Sequence, residues 1–460
     1  MLINIGFIGG FIMVRVVIVG GGAAGASAAA RAKRFDPGAE VVLVEATDMI
    51  THAPCAIPYA IAGIVKSRDD MAMYTAEEFE KERGVKVYIN TKVIDVDADK
   101  RVVYIDRNGS IDRLSWDRLV VATGAIPSIP RIPGIDLEGV ISLRHPAYVG
   151  GIRRALENAN SVAIVGGSYL GIEIAEALLS LGKKVILIEK ENQLLPLTLD
   201  SDMGEVVARD VVSKGVELHL NESLVEIGGG DRVRYIATNR NSYNVDAVIL
   251  ATGVKPNVEI ALKAGIKLGV TGAIYVNEYM ETNIEDIYAA GDVAEKFHRI
   301  LKKSIWIPLA THANKEGQVA GANTIRKRSI RFPGVIGTAV TRFFNMYIAK
   351  TGLNTKEAIE NGIKVDARVI KARTKAHYFP GAVDVYVKLV IEQSTGKIIG
   401  AQIVGWDHSV AGYIDVIAAA ITNNMTIEDL FFLDIGYTPS TSPVWHPLII
   451  SARVLSKGRF

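Results

Sequence analysis

The single cysteine of this 460-residue chain, Cys55, has the most distinctive chemistry in the sequence. One cysteine excludes an intrachain disulfide, a Cys-x-x-Cys redox pair and a metal or iron–sulfur site built on several thiolates. A lone cysteine is often an inert, buried filler. A reactive one must alternate between a thiolate and either a mixed disulfide with a small thiol or a sulfenic acid. The surrounding motifs decide between the two interpretations.

A glycine-rich loop near the N-terminus predicts a dinucleotide-binding site. The loop reads Gly20-Gly21-Gly22-Ala23-Ala24-Gly25. This spacing fits Gly-x-Gly-x-x-Gly between a strand and a helix: Gly20 turns the chain, Gly22 admits a pyrophosphate, and Gly25 permits close packing. Glu45 ends the next strand, where its carboxylate can accept hydrogen bonds from ribose hydroxyls.

A second loop of the same type follows in the middle of the chain. It reads Gly166-Gly167-Ser168-Tyr169-Leu170-Gly171. Ser168 stands where the middle glycine belongs, which weakens the match. Glu189 closes the following strand and would repel a 2′-phosphate, so we expect NADH to be preferred over NADPH, although Lys190 could soften that preference.

Three further short motifs accompany the loops. Two are similar turns after apolar strands, namely Ala122-Thr123-Gly124 and Ala251-Thr252-Gly253. The third lies in residues 282–292, where a short strand ends in Gly291-Asp292. The Asp292 carboxylate could bind a ribityl hydroxyl, which favours FAD as one of the two dinucleotides.

Alternating strand and helix patterns predict an α/β fold with two Rossmann-like domains. Apolar runs at 14–19 and 41–45 flank a helical pattern at 24–34, and the order repeats in residues 162–189. Breaks rich in Pro and Gly fall near 127–134 and 255–257. After Pro333 the pattern becomes that of a separate α+β unit. Its predicted parts are a hairpin at 383–404 and helices at 409–422 and 426–433.

Composition excludes several other classes of protein. Apolar residues make up 49% and the formal net charge is +2, which argues against a disordered chain and against a nucleic-acid partner. Arg15 interrupts the apolar N-terminal stretch, so we expect no membrane segment there. We expect a cytoplasmic protein, and residues 1–12 could be an upstream artefact of start choice.

These motifs together resemble the two-dinucleotide flavoprotein disulfide reductases over residues 14–455. The resemblance implies an FAD domain split around an NAD(P)H domain, and a C-terminal domain that forms a homodimer with active sites shared between chains. We therefore predict FAD-domain segments at 1–126 and 259–332, the NAD(P)H domain at 127–258, and the dimerisation domain at 333–460.

The lone cysteine narrows this resemblance to one branch. Dithiol members of the family carry Cys-x-x-x-x-Cys here, whereas Cys55 is followed by Tyr59-Ala60 without a second thiol. The single-cysteine branch contains coenzyme A disulfide reductases, NADH oxidases and NADH peroxidases. A helix opening at Cys55 would stabilise its thiolate. The peroxidases place a histidine in the first glycine loop, for which His52 is the nearest substitute here.

Further residues follow from similarity to the coenzyme A disulfide reductases. Arginines suit coenzyme A because guanidinium groups pair bidentately with phosphates, although arginines on this helix could also form a plain solvated face. The substrate contacts implied are Ser27, Arg31, Arg34, Thr51 and Arg83.

Two tyrosines and two residues of the second loop region complete the implied site. Tyr378 and Tyr437 would flank Cys55 of the other chain and protonate the departing thiolate, or would simply pack at the interface. Glu173 would lie near the nicotinamide, and Tyr169 would cover the flavin until NADH displaces it.

The resemblance implies reduction of coenzyme A disulfide, or of a related small disulfide or polysulfide, by NAD(P)H through FAD and Cys55. One alternative is an NADH oxidase that reduces O₂ to H₂O₂ or water. Another, of a different class, is an electron-transfer flavoprotein of the NADH–ferredoxin type, in which Cys55 has no role. No metal is expected in any of these readings.

Overall fold

The computed structural model describes residues 13–456, so the expectation about residues 1–12 lies outside the described part of the chain. The N-terminal part is built from β1 (Arg15–Val19), α1 (Ala23–Phe35), β2 (Glu40–Val44), α2 (Ile57–Ile61), α3 (Ala76–Arg83), β3 (Lys86–Tyr88), β4 (Lys92–Asp97), β5 (Val102–Arg107), β6 (Ser110–Ser115) and β7 (Arg118–Val121).

The middle part repeats the strand–helix–strand order. Its elements are β8 (Ala125–Pro127), β9 (Val140–Ser142), α4 (Val149–Glu157), β10 (Ser161–Val165), α5 (Tyr169–Ser180), β11 (Lys184–Glu189), α6 (Ser201–Ser213), β12 (Glu217–Leu220), β13 (Leu224–Gly229), β14 (Val233–Thr238), β15 (Ser242–Asn244), β16 (Ala247–Leu250) and β17 (Val254–Pro256).

The remaining elements return to the first unit and then form the C-terminal unit. They are α7 (Glu259–Lys263), β18 (Ile287–Ala289), β19 (Lys296–His298), β20 (Lys303–Ile305), α8 (Ala310–Ile325), β21 (Ala339–Phe343), β22 (Met346–Gly352), α9 (Thr355–Glu360), β23 (Val365–Arg373), β24 (Asp384–Glu392), β25 (Ile398–Gly405), α10 (Ser409–Thr422), α11 (Ile427–Phe431) and α12 (Pro447–Leu455).

Two parallel five-stranded sheets form the nucleotide-binding units, which confirms the predicted fold class. The first has the order β18-β7-β1-β2-β3, and the second the order β12-β11-β10-β16-β9. In each sheet the central strand (β1 or β10) runs directly into a glycine loop and a helix. Because β18 comes from residues 287–289, the first sheet is assembled from chain segments on both sides of the second unit.

Short side chains on α1 allow close packing against α8. The helix reads AAGASAAARAKRF, and its alanines at 24, 28, 29 and 32 are buried. Gly317 of α8 lies so close that a Cβ there would meet the Ala24 carbonyl oxygen at 2.2 Å. The two backbones therefore approach at a distance that larger side chains would prevent, and they fix α1 beneath the first sheet.

The C-terminal unit is an antiparallel sheet in the order β21-β22-β25-β24-β23, with α10 and α12 packed on it. The predicted hairpin is β24–β25, and the helix predicted at 409–422 is α10. The helix predicted at 426–433 is shorter. Thr426 caps its N-terminus in a capping box with Asp429, and the helix ends at Phe431.

A two-stranded ribbon joins the two nucleotide-binding units. Strand β8 pairs antiparallel with β17, so both connections between the units run side by side. Across residues 13–456, the structure contains no helix with the length and apolar character needed to cross a membrane.

Candidate active site

The first glycine loop has the geometry that the spacing predicts. Gly20 has φ +104°, and a Cβ there would lie 2.3 Å from the Ala122 carbonyl oxygen. A Cβ on Gly25 would lie 1.8 Å from the Gly20 carbonyl oxygen. Gly22 differs, since the nearest atoms to a Cβ built there would be those of the His52 ring at 3.6 Å. The backbone at Gly22 is thus open to a group that binds at the N-terminus of α1.

The second loop reproduces this arrangement. A Cβ on Gly166 would lie 2.4 Å from the Ala251 carbonyl oxygen, and one on Gly171 would lie 2.0 Å from that of Gly166. Ser168 turns its hydroxyl back to the Ala251 carbonyl oxygen at 3.3 Å. The serine therefore fits the loop without blocking it. Leu170, the second residue of α5, packs against the core of this unit.

The two strand-end acids accept hydrogen bonds from the backbone of their glycine loops. Glu45 Oε2 accepts a hydrogen bond from the Gly21 N–H at 2.8 Å, and Glu189 Oε2 accepts one from the Gly167 N–H at 2.7 Å. Both side chains are buried. The other Glu45 oxygen accepts from the Thr47 N–H at 2.8 Å. Each acid thus supports the loop at the position where a ribose contact is predicted.

The Ala-Thr-Gly turns anchor the ribbon between the units. The Thr123 hydroxyl donates to the Asn257 carbonyl oxygen at 2.7 Å, and the Thr252 hydroxyl donates to that of Ser128 at 2.6 Å. The first turn therefore holds the chain just after β17, and the second turn holds the chain just after β8. The glycines after them, Gly124 and Gly253, both have positive φ. The turns also support the glycine loops, because Ala122 lies against Gly20 and Ala251 lies against Gly166.

A buried ion pair that no sequence motif indicates supports the Gly-Asp segment. The Gly291 N–H donates to Glu316 Oε2 at 2.8 Å, and the Gly291 carbonyl oxygen accepts from Lys296 Nζ at 2.9 Å. Lys296 and Glu316 lie 3.3 Å apart with fully buried side chains. A Cβ on Gly291 would meet the Ala24 Cβ at 2.8 Å, so this segment abuts the first glycine loop.

Arg144 is the second functional candidate that sequence reasoning missed. Its Nη2 donates to Asp292 Oδ2 at 2.7 Å, and its Nε donates to the Ala125 carbonyl oxygen at 2.8 Å. It therefore links the Gly-Asp segment to the ribbon. Its position shortly after β9 in the chain offers no local signal for either contact.

Cys55 lies in a 3₁₀ turn, Pro54–Ala56, directly before α2, and it is exposed. Although the residue is exposed, partial desolvation by the surrounding protein raises the pKa of its thiol, the negative charge of Glu173 raises it further, and Arg144 opposes them. A backbone hydrogen bond lowers the pKa, as expected near a helix N-terminus, but it does not reverse the rise. The physical reason is that α2 has only five residues, begins two residues later, and is outweighed by desolvation.

Two histidine rings contact each other at a tilted angle beside the first glycine loop. The His52 and His145 ring centroids are 4.0 Å apart. Burial, His145 and Arg144 lower the pKa of His52 to about 3, so the ring is neutral. Its Nδ1 is buried and has no hydrogen-bond partner within residues 13–456. This orphaned atom beside the open Gly22 position fits a cofactor with polar groups bound on the loop.

The N-terminal turn of α5 points toward the C-terminal unit. Burial raises the pKa of Tyr169 to about 12. Glu173 accepts a hydrogen bond from the Thr341 hydroxyl at 2.6 Å. Burial raises the pKa of Glu173, and the Thr341 hydrogen bond opposes that rise. Similarity to the family predicts that Glu173 lies near the nicotinamide, but it does not predict the hydrogen bond from Thr341.

The predicted substrate residues fall into two groups. Thr51 and Arg83 meet through Tyr74: the Thr51 hydroxyl donates to the Tyr74 carbonyl oxygen at 3.1 Å, and Arg83 Nη2 donates to the Tyr74 hydroxyl. On α1, Ser27 donates to Asn314 Oδ1 at 2.9 Å.

The two α1 arginines differ from each other. The Arg31 guanidinium lies 4.3 Å from the Phe35 ring centroid. Its Nε is buried without a hydrogen-bond partner in the described part of the chain, whereas Arg34 is exposed. Arg31 thus packs partly against Phe35, whereas Arg34 fits a solvated face.

Tyr378 and Tyr437, which lie 59 positions apart, are neighbours on the exposed face of the C-terminal unit, with 65% and 47% of each residue exposed. A hydrogen bond that the Tyr437 hydroxyl shares with Tyr378 raises the pKa of the Tyr437 hydroxyl. The Ala376 N–H donates to the Pro439 carbonyl oxygen at 3.2 Å and ties the two segments together. The structure therefore places the two tyrosines side by side, and their approach to Cys55 of the other chain stays a prediction.

Two glycine loops with supporting acids, a split first sheet and an exposed thiol between the units define an oxidoreductase with two dinucleotide sites. The chain belongs to the pyridine nucleotide-disulphide oxidoreductase family, which it matches over residues 14–317, and residues 338–448 match the dimerisation domain of that family. FAD and NAD(P)H are its cofactors. Within residues 13–456, no cluster of His, Cys, Asp and Glu side chains is arranged to hold a metal ion.

Similar proteins come from archaea and bacteria. An NAD(P)H coenzyme A polysulfide/persulfide reductase from Pyrococcus horikoshii is 43% identical over 96% of this chain and 98% of the relative. An NADH oxidase from Methanocaldococcus jannaschii is 37% identical over 95% and 98%. The solved structure of an NAD-dependent persulfide reductase from A. fulgidus has a TM-score of 0.93 at 38% identity, covering 97% of this chain and 83% of that one.

Proposed function

We propose that this enzyme uses NAD(P)H to reduce coenzyme A disulfide, or a related low-molecular-weight disulfide, persulfide or polysulfide, through FAD and Cys55. The observation that carries the proposal is the position of Cys55. It is the chain's one thiol, it is exposed, and it feels the charges of Glu173 from one nucleotide-binding unit and Asp292 from the other. An exposed thiol is accessible to a small disulfide, which suits sulfur exchange better than a packing role, although the raised pKa lowers the fraction of reactive thiolate.

The residues around Cys55 support a two-stage exchange. The Cys55 thiolate attacks one sulfur of the disulfide, so that a Cys55–sulfur bond forms, the substrate S–S bond breaks, and a thiolate departs. FAD, when bound, supplies the electron pair of NAD(P)H that is needed to cleave the mixed disulfide. Cleavage returns the Cys55 thiolate and releases the second thiol. In this way two electrons and two protons convert one disulfide to two thiols.

The loops, the strand-end acids and the Gly-Asp segment would bind the two dinucleotides. FAD would lie on the first loop with Glu45, the Ala122-Thr123-Gly124 turn and Asp292, while NAD(P)H would lie on the second loop with Glu189. The fit rests on the open backbone at Gly22 and the orphaned Nδ1 of His52.

Protonation of the departing thiolate would fall to the tyrosine pair. We infer that each chain offers its Tyr378 and Tyr437 to the Cys55 of the other chain in a homodimer. A tyrosine hydroxyl is protonated at neutral pH, so Tyr437 has a proton that it can donate to the thiolate. The exposure of both rings in the single chain supports a role at an interface, since exposed aromatic pairs are characteristic of interfaces.

Coenzyme A as the thiol carrier is supported by two observations. Thr51 and Arg83, two of the predicted contacts, converge on Tyr74. The name of the Pyrococcus horikoshii relative includes coenzyme A and a polysulfide or persulfide. Reduction of O₂ is the second candidate, because the Methanocaldococcus jannaschii relative is named an NADH oxidase.

Replacement of Cys55 by Ser tests the proposal. The FAD-loaded Cys55→Ser protein should retain its flavin, lose NADH-dependent reduction of coenzyme A disulfide and polysulfide, and lose any thiol release. Unchanged disulfide turnover would refute the role of Cys55. Surviving O₂ consumption would indicate direct oxidation of the cofactor, and ferredoxin reduction that persists without small thiols would favour the electron-transfer class.

A further inference from the structure

A row of buried polar side chains crosses one face of the C-terminal sheet. Lys350 of β22, Gln402 of β25 and Lys388 of β24 are cross-strand neighbours, and at most 9% of each residue is exposed. Gln402 and Lys388 both contact Asp200, which immediately precedes α6. Because a buried lysine is costly unless an acid pairs with it, these contacts fix how the sheet meets α6.

Asp200 is the centre of this junction. Its carboxylate accepts hydrogen bonds from Gln402 Nε2 at 2.8 Å and from the Thr355 hydroxyl at 2.6 Å, and it lies 2.9 Å from Lys388 Nζ. Its own N–H donates to Gln402 Oε1 at 2.7 Å. Gln402 therefore binds both the backbone and the side chain of Asp200, which leaves the start of α6 little freedom to shift against the sheet.

The chain that leads into Asp200 lies against the second glycine loop. In this segment, residues 193–199, the Leu195 N–H donates to the Gly167 carbonyl oxygen at 2.9 Å. A Cβ on Gly167 would lie only 2.5 Å from Leu194 Cδ2. The 193–199 segment therefore forms one wall of the second glycine loop.

Close packing ties the 193–199 segment to α6. The Gln193 side-chain amide donates to the Leu199 carbonyl oxygen at 2.8 Å, which closes the segment on itself. A Cβ on Gly204 of α6 would lie 3.1 Å from Gln193 Nε2 and 3.2 Å from the Leu194 carbonyl oxygen. The segment thus rests on the beginning of α6 and should move with it.

We propose that Asp200, held by Lys388 and Gln402, is a positioning residue for NAD(P)H: it keeps the 193–199 segment against the second glycine loop in the geometry that binds the coenzyme. The inference deepens the proposed function, because it rests on the assignment of NAD(P)H to that loop. It gives the dimerisation domain, which contains both Lys388 and Gln402, a part in coenzyme binding within its own subunit.

The size of the effect follows from the population of the binding geometry. The apparent Kd of a ligand equals its intrinsic Kd divided by the fraction of molecules whose site is in the binding geometry. If loss of the Asp200 contacts lowers this fraction to about one-third or one-tenth, Kd should rise about three- to tenfold. FAD is assigned to the other glycine loop, so its binding should not change.

Titration of the FAD-loaded protein with NAD⁺, followed by calorimetry, tests the proposal. Asp200→Asn turns an amide N–H₂ toward groups that are themselves donors, and it should raise the Kd of NAD⁺ about three- to tenfold. Lys388→Met should raise it less, about twofold, because Gln402 still binds Asp200. Lys350→Met is the matched control: it removes a buried lysine from the same sheet face, but its partner is Glu357, so Kd should stay as in the parent.

Hydrogen exchange of peptides that cover residues 193–199, read by mass spectrometry without coenzyme, measures the segment itself. The Leu195 N–H is protected by its bond to the glycine loop. These peptides should therefore exchange faster in Asp200→Asn than in the parent, and at the parent's rate in Lys350→Met. Unchanged exchange in Asp200→Asn would contradict the proposal.

Two titration results would also overturn the proposal. An unchanged Kd in Asp200→Asn would show that the 193–199 segment does not limit coenzyme binding, and an equal rise in Lys350→Met would show a general loosening of the C-terminal unit. If Asp200→Asn does not retain FAD, Gln402→Met carries the same comparison. Glu189→Ala separates these results from a failure of the proposed function: if it too leaves Kd unchanged, the coenzyme does not bind on this loop.

Discussion

Replacing Lys296 by Met should destabilise the FAD-binding unit by about 3–5 kcal/mol, because it leaves the buried Glu316 carboxylate unpaired. Both side chains are fully buried, and Lys296 Nζ also donates to the carbonyl oxygens of Gly291 and Ala294 at 2.9 and 3.2 Å. The substitution therefore removes one ion pair and two hydrogen bonds around the Gly-Asp segment. The double variant Lys296→Met/Glu316→Gln is the matched control, since the amide oxygen can still accept from the Gly291 N–H.

The temperature at which FAD is released, followed by flavin fluorescence, measures this effect. At about 2 °C per kcal/mol, the single variant should release FAD about 6–10 °C below the parent. The double variant should recover most of the loss. A single variant as stable as the double variant would refute the reasoning.

The deficit should also depend on pH. Burial raises the pKa of Glu316, and Lys296 is the main group that opposes this rise. Without Lys296 the folded protein holds the Glu316 proton to higher pH than the unfolded chain does. Folding then binds a proton, so the deficit should shrink as the pH falls toward the ordinary carboxyl range and grow above it.

Two other variants probe the coenzyme preference and the junction with the C-terminal unit. Glu189→Ala should lower kcat/KM for NADH at least about tenfold, because the Gly167 N–H loses its charged acceptor, and should lower kcat/KM for NADPH less; an equal loss for both would contradict a role in discrimination. Lys388→Met should cost up to about 3 kcal/mol, measured by thermal unfolding, because Lys388 Nζ contacts Asp200 at 2.9 Å and Asp202 at 2.7 Å across the junction. The loss of stability should be at the low end of what breaking a buried ion pair costs, because Gln402 still donates a hydrogen bond to Asp200. An unchanged melting temperature would show that this network adds no stability.

Local sequence patterns predicted the two βαβ units, the glycine loops and the Gly-Asp segment well, because each depends on spacing within about 30 residues. The first strand, helix and acid at 15–45 were located within one or two residues. The hairpin β24–β25 was predicted equally well from the alternation of apolar and polar residues and from its turn.

The contacts that complete the site could not be predicted in this way. Lys296–Glu316, Arg144–Asp292 and Thr341–Glu173 join positions 20 to 168 apart, and only the folded sheets bring them together. The ionisation of Cys55 could not be predicted from the local sequence for a related reason. A helix N-terminus was visible in the sequence, whereas the desolvation and the Glu173 charge that outweigh it arise from tertiary packing.

The covalent state of Cys55 tests the central claim most directly. Intact mass should be measured without reductant after the FAD-loaded protein has been incubated with coenzyme A disulfide, before and after anaerobic addition of NADH, with Cys55→Ser as control. The account predicts a mass increase of one coenzyme A on the parent protein alone, which NADH then removes with release of one thiol. An unmodified parent protein that still reduces the disulfide at full rate would contradict it.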